Sequence, residues 1–117
     1  MTFERKKILK GIELFEVTEP FSFVALHRYW TTIRTMGEPL KGIIIVLTKV
    51  HSLDQSNFYL LKGFCERCSP EKVIIILVNT QTQPLGLIKK EGLYDSIGPQ
   101  NMVDTIPQAL KCLGNIS

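Results

Sequence analysis

The sequence predicts an α/β fold: a small mixed, mostly parallel β-sheet of four to five strands, with about four helices packed mainly on one face. Three observations carry this. Gly42–Leu47 (GIIIVL) and Val73–Val78 (VIIILV) are short runs of apolar, mostly β-branched residues. Runs of that kind fit strands buried on both faces. Each is followed by apolar residues at helical spacing, and strand–helix alternation after Pro39 implies crossovers between parallel neighbours.

Taken in order, Met1–Lys10 is polar and basic, with Phe3, Ile8 and Leu9 as its apolar residues. It reads as a linker or an extension. Ile12–Val17 (IELFEV) sets Ile12, Leu14 and Phe15 against Glu13 and Glu16, a first strand near a sheet edge. Thr18-Glu19-Pro20 is a turn signal. Phe21-Ser22-Phe23 would be a short second strand. From Val24 to Met36, Leu26, Tyr29, Trp30 and Ile33 fall at helical spacing, with Gly37 as the stop and Pro39 barring continuation.

After the Ile43–Leu47 strand, a helix is expected from about Gln55 to Cys68, with Phe58, Leu61, Cys65 and Cys68 on its buried face. Ser69-Pro70 ends it, and Val73–Val78 is the next strand. Thr82 and Pro84 suit a helix start. Leu85 and Ile88 would be the buried face of that helix and Gly92 its end. Tyr94–Gly98 would give a last short strand around Ile97. Thr105 and Gln108 have capping-box spacing before a terminal helix that buries Ile106, Ala109, Leu110 and Leu113.

Bulk properties narrow the function. The 117 residues fit one domain, divided as a basic segment 1–10 and a globular body 11–117. Formal net charge is +3, and Arg5, Lys6, Lys7 and Lys10 supply most of the excess. The nearly neutral remainder argues against a nucleic-acid-binding body. No apolar stretch approaches the roughly 20 residues that span a bilayer, and the basic start lacks the apolar run of a signal peptide. Cys65, Cys68 and Cys112 are an odd number, which reads as reduced thiols in a cytosolic setting.

Catalytic patterns are absent from the sequence. Cys65-x-x-Cys68 has the spacing of a redox or zinc half-site, but one further Cys and two His do not make up about four zinc ligands. Both cysteines fall late on the apolar face of their helix. A redox pair needs its first Cys at a helix N-terminus, so buried structural thiols are the better reading, with a small redox enzyme as the rival. His27 and His51 have no nucleophile with an orienting carboxylate beside them, and no nucleotide or nucleophile-elbow motif occurs. We therefore expect no catalytic residue, no cofactor and no metal.

Asp54 and Ser56 remain. One of them is expected to cap the helix, worth about 1 kcal/mol. The sharper reading makes Ser56 a phospho-acceptor. Phosphate is favoured beside free N–H groups at a helix start, and its charge would disrupt a contact surface without unfolding the domain.

The order VxxLDQSxxxxLxxF, second apolar strand, NTQTQPLGLIKKEGL and DTIPQAL resembles the STAS domain. That domain is shared by bacterial anti-sigma factor antagonists and the cytoplasmic C-terminal part of SulP-type sulfate and other anion transporters. The family's D-x-[ST]-G loop corresponds to Asp54-Gln55-Ser56-Asn57. Its terminal D-[ST]-x-x-x-A-L signature corresponds to Asp104, Thr105, Ala109 and Leu110. Gln83–Leu93 resembles the family's third helix, and GIELFEVTEPFSF its opening in the transporter branch. The resemblance covers about residues 11–113.

The E-P-F-x-F opening and the basic leader favour the transporter branch. The resemblance then implies a non-catalytic regulatory and interaction domain on the cytoplasmic side of an anion transporter. Its isolated form would be soluble and its parent chain membrane-embedded. The Asp54, Gln55, Ser56, Asn57 loop and the exposed face of the following helix, with Lys62, would contact the membrane domain or a cytosolic regulatory protein. The alternative is a free-standing anti-sigma factor antagonist switched by phosphorylation at Ser56. Asn57 stands where that family has Gly, and its side chain crowds the approach of a kinase.

Overall fold

A computed structural model describes residues 3–9, 11–18, 22–36 and 40–114, with side chains for 11–18, 23–29, 31–32 and 40–114. Five strands form one sheet in the order β1-β2-β3-β4-β5. They are β1 (Phe3–Leu9), β2 (Ile12–Val17), β3 (Gly42–Val46), β4 (Ile74–Val78) and β5 (Met102–Val103). β1 pairs with β2 antiparallel, and the other pairs are parallel. The helices are α1 (Ser22–Met36), α2 (Gln55–Cys68), α3 (Thr82–Lys90), α4 (Leu93–Ile97) and α5 (Ile106–Gly114). The expected class holds: a mixed, mostly parallel sheet with helices chiefly on one face.

The two apolar runs become the middle of the sheet because both their faces are covered. On one face Phe15, Val17, Ile43, Ile45, Leu47, Ile75 and Leu77 meet residues of α1, α2, α3 and α4. On the other Ile12, Leu14, Ile44, Val46, Ile76 and Val78 meet α5 through Ala109 and Leu113. The period-2 alternation of a strand sorts neighbouring residues into these two cores. α5 lies close over the start of β3. A Cβ on Gly42 would sit 2.5 Å from Leu113 Cδ2, so a larger residue there would have to displace that side chain.

Four expectations are corrected. Phe3–Leu9, read as a linker or extension, is an edge strand, because pairing with β2 completes the hydrogen bonds of IELFEV on that side. β2 is accordingly an interior strand, and Glu13 is buried on it. Ser22 and Phe23 open α1 and do not form a strand, since Phe23 and Leu26 share one buried helical stripe. Phe21, Gly37, Pro39 and the side chains of Trp30 and Ile33 lie outside the described residues. Finally, Leu93–Ile97 is helical and not a strand. Gly92 at φ +81° turns the chain after α3, and Leu93 and Ile97, four apart, face the core together. A 3₁₀ turn at Pro99–Asn101 then leads into β5, which the sequence reading did not contain.

Candidate functional site

The chain leaves β3 at Leu47 and turns at once, with Val50 N–H donating to Leu47 O at 3.0 Å. Val50 and Leu53 point into the core, while His51 and Ser52 between them are exposed. Two apolar anchors thus hold a polar loop at the C-terminal rim of the sheet. Asp54 follows in extended conformation as the N-cap of α2. Its Oδ1 accepts from Asn57 N–H at 2.8 Å, and its carbonyl accepts from Phe58 N–H at 2.9 Å. Of the expected cap candidates, Asp54 is the one that caps.

Gln55, Ser56 and Asn57 are therefore the first turn of the helix. Asp54, Gln55 and Ser56 are exposed and Asn57 is half-buried. The N–H groups of Gln55 and Ser56 have no carbonyl four residues back, as in any first helical turn. Ser56 is thus exposed in the turn that Asp54 caps. Lys62 is further along α2 and half-buried. Tyr59, one turn after Gln55, is 54% exposed, although the apolar count had not singled it out. It falls off the buried stripe of Phe58, Leu61, Phe64, Cys65 and Cys68, and that offset was readable from spacing alone.

Side-chain amides fix this rim from the next strand onward. Leu53 N–H donates to Gln83 Oε1 at 2.7 Å, and Gln83 Nε2 donates back to Leu53 O at 3.2 Å. Asn79, at φ +55°, donates through Nδ2 to Thr48 Oγ1 at 3.1 Å. Gln81 Nε2 donates to Asn79 O at 3.1 Å. Neither Gln83 nor Asn79 was a candidate from sequence, because their partners lie about thirty residues away. These bonds tie the start of α3 and the end of β4 to the loop just ahead of the α2 cap.

The other groups considered for chemistry lie elsewhere. Cys65 and Cys68 are buried near the C-terminal end of α2. Burial, then Cys68 and Glu66, pushes the Cys65 thiol far above its ordinary value. Burial, then Glu71, pushes Cys68 up to about 12. Both are held as thiols, the opposite of an activated redox pair. Arg67 Nη1 on α2 donates to His27 Nε2 on α1 at 2.8 Å, which ties the two helices together. α1 to α4 all cover the same face, so the chain does not change sides between β2 and β5. A doubly wound sheet seats its ligands in the crevice made by such a change.

Comparison with known proteins gives the family. The STAS domain family matches residues 5–109, a span that begins inside β1. YvdB of Bacillus subtilis (strain 168), named provisionally as a sulfate transporter, is 33% identical over 95 residues. These are 80% of this chain and 18% of that protein, so the chain spans under a fifth of that relative. A sulfate transporter family protein from Wolinella succinogenes has the same fold. Its TM-score is 0.79 at 23% identity, over 95% of this chain and 91% of that one. The Bacillus cell fate determinant SpoIIAA, an anti-sigma factor antagonist, aligns in its phosphorylated form with a TM-score of 0.72 and 16% identity, over 95% of this chain and 98% of that one. At those identities the two structures show a shared fold and nothing finer. Among the described residues, no helix is long and apolar enough to cross a membrane.

Proposed function

Because the chain belongs to the STAS domain family, we propose that it is the regulatory domain of a SulP-type sulfate or other anion transporter, acting on the cytoplasmic side by protein contact and not by catalysis. The observation that carries this reading is the 33% identity to YvdB, a likeness in sequence as well as fold. The basic stretch around β1 supports it, since Lys and Arg concentrate on the cytoplasmic side of membrane spans. The contact surface is the Asp54–Asn57 turn with Tyr59 and Lys62 beside it. An exposed aromatic among polar residues is the usual anchor of a protein interface. A partner touching this surface in one transport state and not in another biases the cycle by that difference.

The test is anion uptake by the parent transporter in proteoliposomes, with Tyr59→Arg and the charge reversal Asp54→Lys. Altered uptake at unchanged membrane insertion is the expected result. Unchanged uptake, or a reading frame with no membrane-spanning segments beside this domain, overturns the proposal.

A second reading is favoured by the exposure of Ser56 beside free helix N–H groups. In it the chain is an anti-sigma factor antagonist switched by phosphorylation at Ser56. Incubation with an anti-sigma kinase and ATP, followed by intact mass and peptide mapping, decides it. One phosphoryl group on Ser56 supports the switch, and none, or one elsewhere, removes it.

A further inference from the structure

β5 covers only the upper part of the β4 edge. Met102 pairs with Leu77 and Val103 with Val78, and the chain just before them is folded into the 3₁₀ turn. The backbone of β4 alternates sides. Ile74 N–H donates to Lys41 O at 3.1 Å and Val78 O accepts from Leu47 N–H at 2.9 Å, both toward β3. Asn79 N–H donates to Val103 O at 2.8 Å on the opposite side. By this alternation the N–H and C=O of Ile75 also face the β5 side, below the point where β5 begins. Among the described residues, no backbone bond outside the helices and strand ladders reaches either group. Yet Ile75 is only 6% exposed.

A cavity of about 770 Å³ opens at this place, between the end of α2 and α4. Cys65, Val73, Leu93 and Ile97 are its buried apolar lining, and Glu66, Lys72, Ser96 and Asn101 line it with charged and polar groups. Its size lies in the range of ligand sites, about 300–1,000 Å³. Buried main-chain N–H and C=O groups require partners. A donor and an acceptor on one residue, pointing the same way, are the pairing face of a β-strand.

We propose that this cavity binds an extended peptide segment that adds to the sheet below β5. One of its residues pairs with Ile75 through both backbone groups, as in an antiparallel hydrogen-bonded pair, and directs an apolar side chain onto the apolar lining. Three residues suffice, because Val73–Ile75 spans about 10 Å. A purely apolar molecule would cover that lining and leave Ile75 unpaired. The site is at the opposite end of α2 from Asp54, so it stands or falls separately from the contact surface proposed above.

The test uses the 117-residue chain, labelled with nitrogen-15 and titrated with acetyl-Thr-Leu-Thr-amide. The expected result is a saturable shift of the Ile75 amide resonance with slowed hydrogen exchange. The same peptide N-methylated at Leu, and 3-methylbutan-1-ol, which carries the leucine side chain without peptide groups, should each bind roughly tenfold more weakly or worse. Ser96→Trp, at an exposed lining position, should weaken the parent peptide to a similar degree. No saturable shift at Ile75 overturns the proposal, as does equal binding of the N-methylated peptide. Equal binding of the alcohol would make this an apolar small-molecule cavity and overturn it too. Should Ser96→Trp fail to fold, the N-methylated peptide on the unaltered chain still decides.

Discussion

The side-chain amide of Gln83 forms both hydrogen bonds of a strand pair with the backbone of Leu53, thirty residues away in sequence. Leu53 is buried and immediately precedes the α2 cap. The clamp therefore sets where the helix begins relative to α3. Gln83→Ala should hand the part-buried Leu53 N–H and C=O over to water and cost about 0.5–1.5 kcal/mol per hydrogen bond lost. Urea unfolding measures the loss, and hydrogen exchange at the Leu53 amide should quicken with it. Gln83→Glu keeps the acceptor, opposes Leu53 O with a second acceptor, and should recover little.

Asp54 caps α2 through one hydrogen bond to Asn57 N–H. Asp54→Ala should cost about 1 kcal/mol, within a range of roughly 0.5–2. Asp54→Asn keeps an acceptor of the same reach and should cost much less. Thermal melts of the two variants separate the capping role from the charge.

Gly42 and Leu113 share one space between β3 and α5. Gly42→Ala should destabilise by about 1–3 kcal/mol, through overpacking against Leu113 Cδ2. Leu113→Ala alone opens a cavity and should cost about 2–5 kcal/mol. The double variant should cost less than the sum, because the added methyl enters the vacated volume, with a coupling of about 0.5–3 kcal/mol. Additive losses in a double-mutant cycle would mean that the two do not share space.

The raised thiols of Cys65 and Cys68 make stability fall in alkali. The unfolded thiols titrate near 9.0, whereas folded Cys68 holds its proton to about 12. Between those values the folded state binds more protons than the unfolded one, so unfolding becomes easier as pH rises. The slope approaches about 1.4 kcal/mol per pH unit for each such thiol. Urea midpoints at pH 8 and pH 10 should differ more for the parent chain than for a Cys65→Ala/Cys68→Ala double variant. In the folded protein a thiol reagent should react with Cys112, half-buried, before the other two.

What could be read from sequence was what neighbouring residues decide among themselves. The apolar runs of β3 and β4 announce burial on both faces. Asp54 and the Thr105–Gln108 box cap their helices through bonds three residues long: Thr105 Oγ1 accepts from Gln108 N–H at 3.3 Å, and Gln108 Oε1 accepts from Thr105 N–H at 3.1 Å. Elements decided by distant partners were not legible. FERKKIL is a strand because β2 lies beside it. Five residues from Leu93 suit a short helix as well as a strand until β4 supplies the surface that Leu93 and Ile97 cover. At the candidate surface, the Asp54 cap and the position of Ser56 in the first turn of α2 follow from local spacing, whereas the Gln83 and Asn79 bonds need the fold first.

β1 runs antiparallel to β2, and Phe3 lies across from Val17, the last residue of β2. Its beginning is thus at the rim from which the Asp54 loop rises, two strand spacings from β3, or roughly 10 Å. Any polypeptide joined ahead of residue 3 arrives on that side. Tethered by a short flexible link, it meets the first turn of α2 at an effective concentration in the millimolar range. A contact with a dissociation constant of roughly 0.1 mM, sparsely populated between dilute separate molecules, would then be largely occupied, and a single added charge would weaken it.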